Sequence, residues 1–118
     1  MTTKEMADLV RRWFEQAGQA TGPILPDGWL GRPYDSIYFL DSVEVADEVL
    51  IIRLSEETTL TFDQLTRVYV ENSEIVFDGF AHLSFGWRGY GGPEYHEKHY
   101  SSGQVRFLPP IGTTVALD

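Results

Sequence analysis

The chain has 118 residues, 42% of them hydrophobic, with no cysteine and with 18 Asp plus Glu against 9 Lys plus Arg, a formal net charge of −9. That length suits one domain with its own core and no linker, and the missing thiol excludes disulfides, thiolate metal sites and cysteine nucleophiles. The acidity repels nucleic-acid backbones and anionic membranes, so neither is expected as a partner; a basic protein partner, or simple solubility, fits better.

Near the amino terminus Met6, Leu9, Val10, Trp13 and Ala17 recur at helical spacing, with Lys4, Asp8, Arg11, Arg12 and Glu15 largely on the other side. Thr2 with Glu5 has capping-box spacing and Gly18 is a natural terminator, which predicts a helix over about residues 3 to 17. Charges run through residues 2–16 where a signal peptide would have its apolar segment, and no run approaches the roughly 18 apolar residues of a membrane span. A cytoplasmic protein, neither exported nor membrane-embedded, is the expectation. Residues 18–35 carry three turn signals, Gly22-Pro23, Pro26-Asp27-Gly28 and Arg32-Pro33, and are expected to form an ordered loop held to the body by Ile24, Leu25, Trp29, Leu30 and Tyr34.

Strands are expected over residues 36–108. Ile37, Phe39, Val43 and Val45 alternate, with Asp41 an exception on their face; burial would penalise that carboxylate unless a bulge turns it out, it lies at an edge, or it pairs with Arg53 or Arg67. Asp47-Glu48 and Glu56-Glu57 offer turns around an interior strand over residues 49–54. Residues 63–66 interrupt the next strand, and Asn72-Ser73 turns the chain again. Residues 74–88 show the strongest pattern of all: Ile75, Phe77, Gly79, Ala81, Leu83, Phe85 and Trp87 alternate with positions that include Asp78, His82, Ser84 and Arg88. The expectation is a long central strand bent at Gly79, in preference to a two-residue hairpin at Asp78 and Gly79. A last strand follows around residues 104–108. The fold predicted is therefore a single α+β domain over residues 1–118, one helix on a bent, mostly antiparallel meander sheet of about 5 to 7 strands, with half-closure into a barrel as one form it can take.

The string of residues 26–35, Pro-Asp-Gly-Trp-Leu-Gly-Arg-Pro-Tyr-Asp, followed by strands and by Phe85-Gly86-Trp87 and Tyr90-Gly91, resembles short acidic bacterial proteins found mainly in actinobacteria and carrying no assigned function. The resemblance implies a bacterial, cytoplasmic protein and no particular activity.

Catalytic signatures are missing. Ser84, His82 and Asp78 are the residue types of a triad, but Asp78 and His82 would stand about 13 Å apart along a strand at roughly 3.3 Å per residue, and the chain has no nucleophile elbow, phosphate loop or dinucleotide fingerprint. No cofactor is expected, and the balance leans away from an enzyme. Glu94, His96, Glu97 and His99 are metal-ligand types, yet His96 and His99 are one residue short of the metalloprotease spacing and share a face only on a helix. They are at most a weak metal alternative. The candidate binding residues are Trp87, Arg88, Tyr90, Tyr95 and His82, because aromatic residues and arginine among glycines are suited to recognition. The function expected is a small non-enzymatic interaction protein, of the immunity or antitoxin type. The alternative is a small-molecule binder or minor enzyme whose concave sheet face is lined by Tyr38, Asp41, Arg53, Tyr69 and His82. A homodimer through a sheet edge or the aromatic loop is compatible with either.

Overall fold

The computed structural model describes residues 1–28, 37–88 and 93–117. It is an α+β fold: one helix, α1 (Thr3–Ala17), and ten strands, β1 (Ala20–Ile24), β2 (Ile37–Tyr38), β3 (Leu40–Ala46), β4 (Val49–Leu54), β5 (Thr58–Asp63), β6 (Arg67–Glu71), β7 (Glu74–Asp78), β8 (His82–Arg88), β9 (Tyr95–Tyr100) and β10 (Gln104–Leu108). The strands form two antiparallel five-stranded sheets, ordered β2-β1-β10-β7-β6 (sheet I) and β3-β4-β5-β8-β9 (sheet II), and neither closes into a barrel. No helix among the described residues is long and apolar enough to cross a membrane.

The helix begins and ends where its sequence signals lie. The Thr2 hydroxyl accepts from the Glu5 backbone N–H at 3.1 Å and the Glu5 carboxylate accepts from the Thr2 N–H at 2.8 Å, a complete capping box. The Thr2 N–H lowers the Glu5 pKa, so this end of the helix is held at neutral pH and loosens as falling pH protonates Glu5. Met6, Ala7, Leu9, Val10, Trp13, Phe14 and Ala17 are buried. Trp13 packs against Phe107 of β10 and donates its indole N–H to the Ser73 carbonyl at 2.9 Å, which ties the helix to the β6–β7 turn. Arg11 donates to the Val43 carbonyl at 2.8 Å and so occupies an acceptor of edge strand β3. At the other end of the chain Val115 is buried, its N–H donating to Ser73 Oγ, and the Ala116 backbone exchanges hydrogen bonds with Gln16.

Residues 74–88 do bend, and the bend is a change of sheet. β7 belongs to sheet I and β8 to sheet II, and the two do not pair, which rules out a hairpin at Asp78 and Gly79. Their partners β6 and β5 turn the same corner beside them. Arg67 faces Asp78 on one side of the corner and Asp63 faces His82 on the other, four residues further along each strand, so the register runs through unbroken. The corner itself is stitched by Thr66 N–H to the Gly79 carbonyl (3.1 Å), Thr66 Oγ1 to the same carbonyl (2.9 Å) and Ala81 N–H to the Asp63 carbonyl (2.9 Å). β5–β6 and β7–β8 are thus the arms of one long hairpin folded over on itself, a recognised way for strands to switch sheets. The predicted inward residues Ile75, Phe77, Leu83 and Phe85 are fully buried, but Val76 between the first two is buried as well, and at the corner Phe80 is buried and Ala81 exposed.

Three other expectations change. The loop predicted over residues 18–35 contains β1, whose central Gly22 and Pro23 sit in a register shift between Thr21 and Ile24; proline is tolerated in a strand at such an irregularity. Ile24 is half-buried and Leu25 buried, as expected, while Trp29, Leu30, Tyr34 and the Gly-Arg-Pro-Tyr-Asp string lie outside the described residues. In the first meander strand Val43 is buried as expected and Tyr38 unexpectedly so, while Ile37, Phe39 and Val45 are exposed. The chain passes from sheet I to sheet II at Phe39, and a register shift between Leu40 and Ser42 leaves Asp41 on the surface, the bulge explanation for its awkward position. Ten strands are found among the described residues because two corners divide segments that read as continuous and because β1 and β9 form where no strand was expected.

Gly79 has φ +69°, and a Cβ there would lie 2.1 Å from Thr66 Oγ1, whereas Gly112, at φ +84°, has open space around it. Gly112→Ala should cost about 1 kcal/mol, the strain of a left-handed alanine, and Gly79→Ala about 1–3 kcal/mol with the clash added. Urea midpoints at constant m-value measure both; equal costs would show that the corner relaxes freely.

Candidate functional site

Strand pairing decides which residues of β8 and β9 can act together. Ser84 pairs with His99, Gly86 with Glu97 and Arg88 with Tyr95, and these, with His82, stand on the outward face of sheet II. Leu83, Phe85 and Trp87 pair with Tyr100, Lys98 and His96 on the inward face. The candidate residues therefore divide. His82, Arg88 and Tyr95 share the solvent face; Trp87 turns the other way, packed on Phe85 (centroids 5.4 Å) and stacked on His96 (5.3 Å, 27°). Tyr90 lies outside the described residues.

Each outward residue has a defined job. Arg88 donates from Nε to the Glu57 carboxylate and from Nη1 to the Pro93 carbonyl (2.8 Å), clamping the β8–β9 connection to the β4–β5 turn. Its guanidinium is thereby committed to local structure. Tyr95 lies across Gly86: a Cβ on that glycine would come within 2.1 Å of the phenol oxygen. Gly86 is buried because the ring covers it, while Tyr95 itself is 48% exposed. Only glycine lets the ring approach so closely.

His82 and His99 meet on the same face. His82 Nε2 and His99 Nδ1 are 3.1 Å apart, and His99 Nε2 is 3.2 Å from Glu97 Oε2. The ring centroids are 5.1 Å apart, much further than the facing nitrogens, so the imidazoles meet edge to edge. His96 and His99, the weak metal alternative, stand on opposite faces because β9 is a strand, as their spacing requires outside a helix. Asp78 is likewise no partner for His82; it accepts from its neighbour's Gly79 N–H, from Gln104 and from Arg67. The His82–His99 contact was not legible in the sequence, since it depends on the pairing of two strands whose contacting residues lie 17 positions apart.

Around this pair the outward face carries Thr59, Thr61 and Ser84, with Arg53 bonded to Glu44 (3.3 Å) and Asp63 opposite His82. Its acidic groups, Glu44, Glu57, Asp63 and Glu97, outnumber its cations, Arg53 and Arg88. No concave site gathers the alternative set: Tyr38 is in the core, Arg53 and His82 are on the outside of sheet II, Tyr69 lies under the Arg67 guanidinium (4.8 Å) in sheet I, and Asp41 is at an exposed bulge. Between the sheets the space is taken by stacked Phe62 and Phe77.

On the inward side, Asp27 accepts from Lys98 Nζ (2.8 Å) and from the Tyr100 hydroxyl (3.1 Å), fastening the chain after β1 to β9. The bond to Asp27 raises the Lys98 pKa, and desolvation raises that of Tyr100. Compared with protein-family models, curated proteins and solved structures, the chain matches none of them, so its function has to be argued from its own residues.

Because both pKa values are raised in the folded state, the stability they contribute is present at neutral pH and is lost as pH rises above about 10 through the folded values. Thermal melts of the wild type should fall steeply there. Asp27→Asn should cost about 1 kcal/mol or less at pH 7, since the pair is partly exposed, and should flatten the alkaline fall; an unchanged slope would show that the network does not hold β9.

Proposed function

We propose that this protein is a small non-enzymatic bacterial interaction module that receives a basic protein partner on the outward face of sheet II, in the manner of an immunity or antitoxin protein. The observation that supports this best is the juxtaposition of a half-exposed tyrosine, a pair of exposed imidazoles and an excess of carboxylates on one five-stranded surface of an acidic chain. Aromatic anchors give such a surface affinity, and the acidic surround gives it on-rate and selection for positive charge. The small-molecule alternative loses support because its lining residues diverge and the inter-sheet space is filled.

Affinity capture from native lysate, followed by titration with the purified captured protein, tests the proposal. A one-to-one complex with a basic protein is expected, weakening as salt is raised. Tyr95→Ala should weaken it by tenfold or more, about 1.4 kcal/mol, whereas Tyr69→Ala, on the other sheet, should not. Equal losses for the two variants, or a complex indifferent to salt, would overturn it.

A further inference from the structure

From the edge-to-edge histidines we propose a second, independent property: His82 Nε2 and His99 Nδ1 form a two-nitrogen chelate for a divalent transition metal of the imidazole-preferring class, zinc, copper(II) or nickel. It does not rest on the interaction proposed above.

Three features carry it. The first is the bite. Two nitrogens held about 2.0–2.1 Å from a tetrahedral zinc stand roughly 3.3 Å apart, and the facing nitrogens are 3.1 Å apart without any metal. Small rotations of two surface rings turn both lone pairs onto one point.

The second is the tautomer. Glu97 Oε2, 3.2 Å from His99 Nε2, accepts the proton there and leaves the His99 Nδ1 lone pair directed at His82. A carboxylate behind a ligating imidazole is the usual outer partner of a metal-bound histidine, fixing the ring and raising its basicity. Without metal, that lone pair accepts the His82 Nε2–H. Metal replaces the shared proton, His82 takes up a proton at Nδ1 from water, and no net proton is released.

The third is preorganisation. His82 and His99 sit on paired strands, and the register Ser84 to His99 sets their separation, so little chain ordering is needed on binding. The described residues contain no group of three or more His, Cys, Asp or Glu around a common point. Water therefore completes the coordination, and an exchangeable position is left open. With nitrogen ligands, the class selected is the borderline metals and not calcium or magnesium.

The test is calorimetric titration of untagged full-length protein with zinc chloride, with imidazole resonances followed by NMR. One zinc per chain is expected, moving the His82 and His99 signals, with magnesium giving no heat. His82→Ala and His99→Ala should each weaken binding by at least tenfold, and Glu97→Gln, which keeps the side-chain size, by about tenfold. His96→Ala is the matched control on the opposite face and should bind as the wild type does. His82, His96, Glu97 and His99 are all exposed, and far-UV dichroism verifies that each variant is folded. Unaltered zinc affinity in the His82 and His99 variants, loss in His96→Ala alone, or no saturable one-to-one binding would overturn the proposal.

Discussion

The stacking of Phe62 on Phe77, with centroids 4.9 Å apart and planes within 12°, is the contact on which the rest depends, because it joins one sheet to the other. From it a chain of rings runs through Phe107 to Phe14 and Trp13 of the helix, with Phe80 edge-on to Phe62 at the corner. Each such pair adds about 0.5–1.5 kcal/mol beyond the apolar area it buries. More important is geometry: Phe62 and Phe77 belong to opposite arms of the folded hairpin, so they can stack only if both arms turn the corner together. Thr66 and Gly79 make that turn, with the hydroxyl occupying the space a side chain would need.

Folding the hairpin also creates the surface. Once Leu83 and Phe85 are committed to the interior, the period of two sends His82, Ser84 and Arg88 outward, and the pairing of β8 with β9 brings Tyr95, Glu97 and His99 beside them. The same pairing puts Trp87 and His96 on the other side. Functional opportunity on this molecule is thus a consequence of core parity, and the polar face is held in place by side chains that never touch solvent. Arg88 and Tyr95, both of recognition type, are set apart by their local duties: one is a clamp, and the other remains half-exposed above a glycine.

How much of this was legible follows from the range of each interaction. The helix was, to its terminal residues, because Thr2, Glu5 and Gly18 act within one turn of it. The strands read over residues 49–54, 67–70 and 104–108 were, to within a residue, because their patterns are local. β1 was not, since Gly22 and Pro23 are turn formers by propensity and only pairing with β10 and β2 makes an irregular strand of them. In the first meander strand the exposed Ile37 and Phe39 misled, since hydrophobicity marks a face without saying which sheet it belongs to.

The sequence by itself determined the fold class, the helix with its caps, the burial of Ile75, Phe77, Leu83 and Phe85 and the acidity that shapes any choice of partner, all of them properties of neighbouring residues or of composition. Tertiary structure decided the rest. It divided the strands between two sheets, separated Trp87 from Arg88 and Tyr95, and removed Asp41 from the interior. It also brought His82 to His99 and not His96 to His99. The physical reason is that strand partners are chosen by contacts distant in sequence, and a strand's pattern records which side is buried but not which strand lies next to it.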